Sequence, residues 1–209
     1  AHLGDTANAE KDEITLDGQP ISQAPPKCYL MLHKLRGYVT TLSDEKGRKN
    51  VFQLVADCGQ RVYPVGRLDL DSEGLLLMTN DGALANRLMH PSGGIEKCYR
   101  VTVRNFNEAC LPVLRKPIEI DGRYTHPARV RCLWQRGDRA CLEFWLPDGR
   151  NRQIRRLCEA AGVEVLRLLR IQEGPLHLGK LPPGAWRPLT LEELHDLEHA
   201  LQWKFLKDL

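Results

Sequence analysis

The stretch RVYPVGRLDLDSEGLLLMTNDG, residues 61–82, decides the fold of this chain. Its pattern predicts a strand at the start, an exposed loop that carries Asp69, and a buried strand at Leu75–Met78. Residues 79–82 then begin a short helix, which ends before Pro91 because proline disfavours a helical residue in front of it. The loop around Asp69 is therefore held by regular structure on both sides.

The remaining chain shows more strand patterns than helix patterns. Strand-like runs occupy residues 28–33, 37–41, 97–103, 128–133 and 140–146. Helical spacing at residues 151–161 is followed by Gly162 as a C-terminal cap, and a capping box at Thr190–Glu193 begins the last helix. Because helices and strands do not alternate regularly, we predict an α+β fold with a largely antiparallel sheet.

The N-terminal region is predicted to be separate from the rest. Residues 12–21 have a strand-turn-strand pattern with the hairpin signal Asp17-Gly18, and residues 22–26 resemble a linker. A domain boundary near residue 23 follows from this change in composition.

The composition narrows the class of protein. With 42% apolar and 27% charged residues among 209, the chain can bury a core. No apolar run reaches the roughly 18 residues that a membrane span requires, so we expect a soluble cytoplasmic protein with no membrane partner. The seven cysteines lie at least nine positions apart, which excludes Cys-x-x-Cys zinc sites and favours reduced thiols.

The positive charge is concentrated in one part of the chain. The net charge is only +3, but residues 123–170 contain eleven arginines, no lysine and five acids. Arginine binds phosphate and stacks on bases, so this region is a candidate surface for a polyanion. The alternative is a solvated face in which the arginines pair with the acids.

The acidic residues in the central loop allow several chemistries. Asp69, Asp71, Glu73 and Gly74 imitate the start of a calcium loop, but its closing position is Asn80. The apolar residues just before that position also argue against calcium. A pair of carboxylates for glycoside hydrolysis is a second possibility, although two acids so close in one loop would not easily flank a sugar from opposite sides.

Five motifs together resemble one enzyme family. They lie at Gly66–Asp69, Asp71–Leu76 with Thr79–Gly82, Glu96–Tyr99, Gly149–Arg156, and Leu178–Thr190. In this order they resemble the bacterial ribosomal RNA pseudouridine synthases of the RsuA/RluB type, over about residues 28–195. The context Tyr63–Asp69 is most similar to the RluB branch, which acts on large-subunit RNA. Lys34-Leu35 departs from the family's usual Lys-Pro, and Cys98 replaces a usual threonine.

The resemblance implies a fold and an activity. The expected fold is the pseudouridine synthase fold, α+β with a mainly antiparallel mixed central sheet flanked by a few helices. The expected activity is conversion of a uridine in ribosomal RNA, 23S RNA or a precursor ribosomal particle, to pseudouridine by a monomer without cofactor or metal. Residues 1–22 would be the end of an S4-type RNA-binding domain plus linker, and residues 23–209 the catalytic domain.

The resemblance also implies roles for individual residues. Asp69 would be the catalytic carboxylate, either as a nucleophile or as a base at the ribose. Arg155 would pair with Asp69 and keep it charged beneath a base, and Tyr99 would pack on the uracil. The plainer alternatives are a surface charge for Arg155 and a core residue for Tyr99. The remaining candidates are expected to bind RNA: Arg67, Lys97, Arg150, Arg152 and Arg156.

Other interpretations stay open at this point. Arg67 could instead form a structural salt bridge with Asp71 or Glu73. The target could be 16S RNA, or the chain could be a non-catalytic factor that binds ribosomal RNA during ribosome assembly. Besides a pseudouridine synthase and a non-catalytic RNA-binding factor, a metal-dependent hydrolase is the third class of protein that the sequence allows.

Overall fold

A nine-stranded mixed sheet forms the centre of the computed structural model, which describes residues 15–16, 19–20, 25–41, 47–90 and 94–202. Its strands are β3 (Tyr29–Lys34), β4 (Tyr63–Pro64), β5 (Glu73–Thr79), β6 (Lys97–Arg104), β9 (Arg129–Arg136), β10 (Arg139–Leu146), β11 (Glu164–Glu173), β12 (Leu176–His177) and β13 (Trp186–Pro188). The main order is β13-β3-β5-β11-β6-β10-β9, with β4 beside β5 and β12 beside β11. Only the β5–β11 pair is parallel among the described strands. The predicted α+β class and mainly antiparallel sheet are confirmed.

Two small hairpins and four α-helices complete the described chain. The hairpins pair β1 (Thr15–Leu16) with β2 (Gln19–Pro20), and β7 (Glu119–Ile120) with β8 (Arg123–Tyr124). The helices are α1 (Gly82–Met89), α2 (Leu111–Leu114), α3 (Gln153–Ala160) and α4 (Leu191–Leu201), with 3₁₀ turns at Val51–Leu54 and Glu108–Cys110. Thr190 and Glu193 form the predicted capping box at the start of α4. None of the helices in these ranges is long and apolar enough to cross a membrane.

The strand that follows the Asp69 loop is buried on both faces. Leu76 and Met78 of β5 pack into one hydrophobic cluster, whereas Leu75 and Leu77 pack into a second cluster with α1 and α4. This explains why the strand has a continuous apolar run and no alternation. Because β5 is packed on both faces, it holds the end of the Asp69 loop in a fixed position.

Some predictions for individual elements are wrong or lie outside the described residues. Residues 37–41 do not form a strand, because Gly37 turns the chain at φ +87° and only Val39 makes a bridge, to Asn50. The hairpin predicted at residues 12–21 is confirmed by β1 and β2, but its turn lies outside the described residues. The same holds for most of the proposed domain remnant at residues 1–22. The seven cysteines are all described and free, as predicted.

Gly74 holds β5 close to β11, and its replacement tests this packing. Gly74 has φ +113°, and an added Cβ would lie 2.2 Å from the backbone oxygen of Arg170. We expect Gly74→Ala to lower the free energy of unfolding by about 3 kcal/mol, the upper end for overpacking. Urea denaturation measures the change.

Gly37→Ala is the matched control, since Gly37 also has a positive φ but no atom within 4 Å of the added Cβ. Its cost should be about 1 kcal/mol, from backbone strain alone. Equal losses in the two variants would contradict close β5–β11 packing as the cause.

Candidate active site

A cavity of about 240 Å³ lies between the Asp69 loop and the start of α3. It is smaller than the roughly 300 Å³ at which pockets for drug-sized ligands begin, so it suits a single small ring system. We call it the catalytic cavity after its candidate role, because six of the eight residues predicted from the sequence line it: Arg67, Asp69, Tyr99, Arg150, Arg152 and Arg155. Lys97 lines an adjacent cavity, and Arg156 is exposed on α3 away from both linings.

Lys34 anchors the loop from beneath, which the sequence did not suggest. Its side chain is fully buried at the end of β3. The ammonium group donates to the backbone oxygens of Asp69 at 2.9 Å, Ser72 at 2.7 Å and Leu35 at 3.1 Å. Charge-assisted hydrogen bonds of this kind are about twice as strong as neutral ones. The backbone on both sides of the loop is therefore fixed to the sheet by one cation.

The ammonium of Lys34 also interacts with the acids of the loop. Burial lowers the pKa of Lys34 to about 8, and the negative charges of Asp69, Asp71 and Glu73 oppose that shift. A lysine would be still harder to keep charged at this position without the acids. The acidic loop and its buried cation are therefore electrostatically coupled.

The two aspartates of the loop have different partners. Arg155 lies 3.2 Å from the carboxylate of Asp71 and donates to the Asp71 backbone oxygen at 2.9 Å. Arg152 lies 3.3 Å from the Asp71 carboxylate and 3.8 Å from that of Asp69. The predicted partner of Arg155, Asp69, acts on it through its charge, but the direct contacts of Arg155 are with Asp71, which offers both a carboxylate and a backbone acceptor.

This difference in partners leaves Asp69 as the more available carboxylate. Burial would raise the pKa of Asp71, but the hydrogen bond from Arg152 and the charges of Arg155 and Arg152 lower it below its ordinary value. Asp71 is thus held as a charged structural partner of α3. The side chains of Asp69 and Asp71 are similarly exposed, at 33% and 30%, but Asp69 lines the catalytic cavity and has one arginine at the limit of an ion pair.

Arg152 reaches both aspartates from a strained backbone position. It precedes α3 with φ +51°, a left-handed conformation that is costly for residues other than glycine. Arg150 is paired differently, at 3.7 Å from Asp148. The strained turn directs one basic side chain of the Gly149–Arg156 motif toward the acids.

Tyr99 forms a wall of the cavity from the central strand β6. It is only 8% exposed and belongs to a hydrophobic cluster, yet its ring also lines the catalytic cavity. Burial raises the pKa of its hydroxyl, and the nearby Arg170 guanidinium partly opposes this. Tyr99 is thus packed into the core and also lines the cavity, and its contact with uracil stays a prediction.

Arg67 is exposed between the two cavities and lines both. The acids considered as its salt-bridge partners are engaged elsewhere, Asp71 with Arg152 and Arg155, and Glu73 with Arg167 at 2.5 Å. The guanidinium of Arg67 is therefore placed to meet a ligand that enters either cavity.

The loop acids do not form a metal centre. In the described part of the chain, no group of three or more His, Cys, Asp and Glu side chains is placed to hold a metal ion. Asp71 and Glu73 instead make ion pairs with α3 and β11. The arrangement gives no support to the calcium-loop alternative, and a reaction without a metal stays a prediction.

Comparisons with known proteins agree on one family. The family model described as RNA pseudouridylate synthase matches residues 28–160, which include Asp69, Tyr99 and Arg155. A protein of Aquifex aeolicus named as an uncharacterized RNA pseudouridine synthase is 38% identical over 98% of this chain and 82% of its own length. The ribosomal large subunit pseudouridine synthase B of Bacillus subtilis is 38% identical over 89% of this chain and 77% of its own.

A solved structure extends the similarity to the fold. A crystal structure of a pseudouridylate synthase superposes with a TM-score of 0.73 and 28% sequence identity. The match covers 93% of this chain and 84% of the other. At this coverage the match extends over most of the described sheet.

Proposed function

Because the chain belongs to the RNA pseudouridylate synthase family, we propose that it converts a uridine of large-subunit ribosomal RNA to pseudouridine, with Asp69 as the reactive carboxylate. The general activity follows from the family. The large-subunit target is supported by the name of the Bacillus subtilis relative and by the Tyr63–Asp69 motif.

The reaction needs one reactive carboxylate in a small enclosed site. The bond from uracil N1 to ribose C1′ breaks, the base turns, and C5 bonds to C1′, while C5 loses a proton and N1 gains one. Asp69 would act either as a nucleophile toward the sugar or base, or as a base at the ribose. Each of these routes needs the same carboxylate at the target nucleotide.

The different environments of the two aspartates carry this proposal. Asp71 is held by two arginines, whereas Asp69 lines the catalytic cavity together with Tyr99. A non-catalytic RNA-binding protein would gain no affinity for RNA from an acid inside a basic cleft, since the acid repels phosphate. The available carboxylate of Asp69 in the catalytic cavity therefore supports a catalytic function over RNA binding alone.

The uridine must leave its stack to reach Asp69. Extrusion costs a few kcal/mol, and stacking on an aromatic side chain returns about 1–3 kcal/mol. Tyr99 would provide that surface, and Arg67, Arg150 and Arg152 would bind the backbone around the cavity mouth. Lys97 would contact RNA from the adjacent cavity, and Arg156 from the outer face of α3.

We further propose how the protein is organised. Residues 23–209 would form the catalytic domain and act as a monomer in the cytoplasm, without a cofactor, on 23S RNA or a precursor ribosomal particle. Residues 1–22 would be the end of an S4-type RNA-binding domain.

Purified protein and transcribed ribosomal RNA test the function. After incubation with large-subunit and small-subunit transcripts in separate tubes, pseudouridines are mapped at single-nucleotide resolution. We expect one new pseudouridine in the large-subunit RNA. Modification of only the small-subunit RNA would overturn the target, and the absence of pseudouridine from both RNAs and from precursor particles would overturn the activity.

A further inference from the structure

A second cavity of about 570 Å³ adjoins the catalytic cavity and shares Arg67, Tyr99 and Gly149 with it. We call it the neighbour cavity. We propose that it binds a guanine of the substrate RNA within two nucleotides of the target uridine. This proposal rests on the proposed function, because the cavity would be filled by the same RNA.

Buried charged side chains form the polar floor of the neighbour cavity. Arg170 and Glu173 are 3% and 5% exposed, and their charged groups lie 3.4 Å apart. The two atoms that face each other at this distance, Arg170 Nη2 and Glu173 Oε2, make no hydrogen bond with any other described residue. Lys97 lies 3.9 Å from the other carboxylate oxygen, Glu173 Oε1. Burying charged groups without full hydrogen bonding is costly, so this floor has unused capacity for a polar ligand.

The floor offers both an acceptor and a donor side by side. The carboxylate of Glu173 can accept two hydrogen bonds, and the ammonium of Lys97 can donate one. The Watson–Crick edge of guanine carries two adjacent donors, N1–H and the 2-amino group, beside the acceptor O6. The other three bases have only one donor group on that edge. Guanine is therefore the base whose edge matches Glu173 and Lys97 together.

The walls suit the flat faces of a base. Tyr63 and Met89 line the neighbour cavity, and the guanidinium of Arg61 lies 5.5 Å from the centre of the Tyr63 ring. Met89 is 52% exposed, so its apolar side chain at the end of α1 is open to a ligand. Aromatic rings and thioethers are common contacts for base faces. A purine on these side chains would cover the exposed methionine.

The shared wall explains why the guanine should lie near the uridine. Tyr99 and Arg67 face both cavities, so only a short piece of RNA backbone can connect the two bound bases. Arg67 lies where the connecting phosphate would pass. The neighbour cavity would thus select the sequence context of the uridine, a role that the catalytic cavity alone does not provide.

Base substitutions in the RNA test this proposal on the wild-type protein. Once the target uridine is mapped, short RNAs that contain it are made with each guanine within two nucleotides replaced by inosine or adenine. At one position we expect adenine to lower kcat/KM by about 10- to 100-fold, and inosine, which lacks only the 2-amino group, by about tenfold. The loss should be in KM, with kcat nearly unchanged.

A protein variant links the preference to the cavity floor. Glu173→Gln should reduce the preference for guanine over adenine at that position, whereas Glu96→Gln, an exposed acid paired with Arg129, should retain it. The guanine proposal fails if pseudouridine forms but no substitution changes kcat/KM by more than about twofold. A target without a guanine in that range would overturn it too. The absence of pseudouridine from every RNA would overturn the proposed function itself.

Discussion

Replacing Lys34 by methionine is expected to lower the rate of pseudouridine formation by about 100-fold, the loss that a misplacement near 1 Å can cause. Methionine fills a similar volume but cannot donate to the backbone oxygens of Asp69 and Ser72. The loop would lose its anchor while its sequence stays intact. Single-turnover rates with saturating RNA measure the effect, and RNA affinity should change little.

The same variant should be less stable, by about 2 kcal/mol in urea denaturation, because buried carbonyl groups lose their donor. The rates are therefore compared at a temperature where both proteins are folded. Lys180→Met is the control, since Lys180 is exposed, and it should leave both rate and stability unchanged. A folded Lys34→Met protein with wild-type turnover would show that Lys34 does not position Asp69.

Asp69→Asn is expected to reduce turnover by about 10⁴-fold, the upper range for a single acid–base group. The amide has the same shape as the carboxylate but is neither a nucleophile nor a base. Because Asp69 repels phosphate in the wild-type protein, RNA binding should be retained. The loss would therefore lie in the chemical step.

Asp71→Asn provides a matched control in the same loop. It removes an equal charge and weakens the contacts of Arg152 and Arg155, but it leaves the carboxylate of Asp69 in the cavity. We expect a loss of about tenfold, from less accurate positioning of the arginines. Similar losses in the two variants would indicate that charge in the loop matters more than the identity of the acid.

The main features of the site were predictable because they depend on local sequence. The continuous apolar run at Leu75–Met78 indicated a buried strand, and the acidic turn before it indicated an exposed loop. The spacing of α3 indicated a helix with basic residues off its apolar face. The family resemblance then assigned Asp69, Tyr99 and Arg155, which line one cavity in the structure.

Features that depend on tertiary packing could not be predicted in this way. The sequence does not indicate which of Asp69 and Asp71 contacts Arg155 directly, and in the structure the direct contact is with Asp71. A lysine at the end of a strand looks like a surface residue, but Lys34 is buried and its ammonium group contacts the backbone of the Asp69 loop. Because Arg170 and Glu173 are charged, the sequence likewise did not indicate the central strand β11, which is parallel to β5.

The most direct test of the central claim is a single-turnover measurement of pseudouridine in large-subunit RNA with Asp69→Asn, with RNA retention measured in the same samples. We predict wild-type retention and a rate lower by about 10⁴-fold, with Asp71→Asn within about tenfold of the wild type. Formation of pseudouridine by Asp69→Asn at the wild-type rate would contradict a catalytic role for this carboxylate.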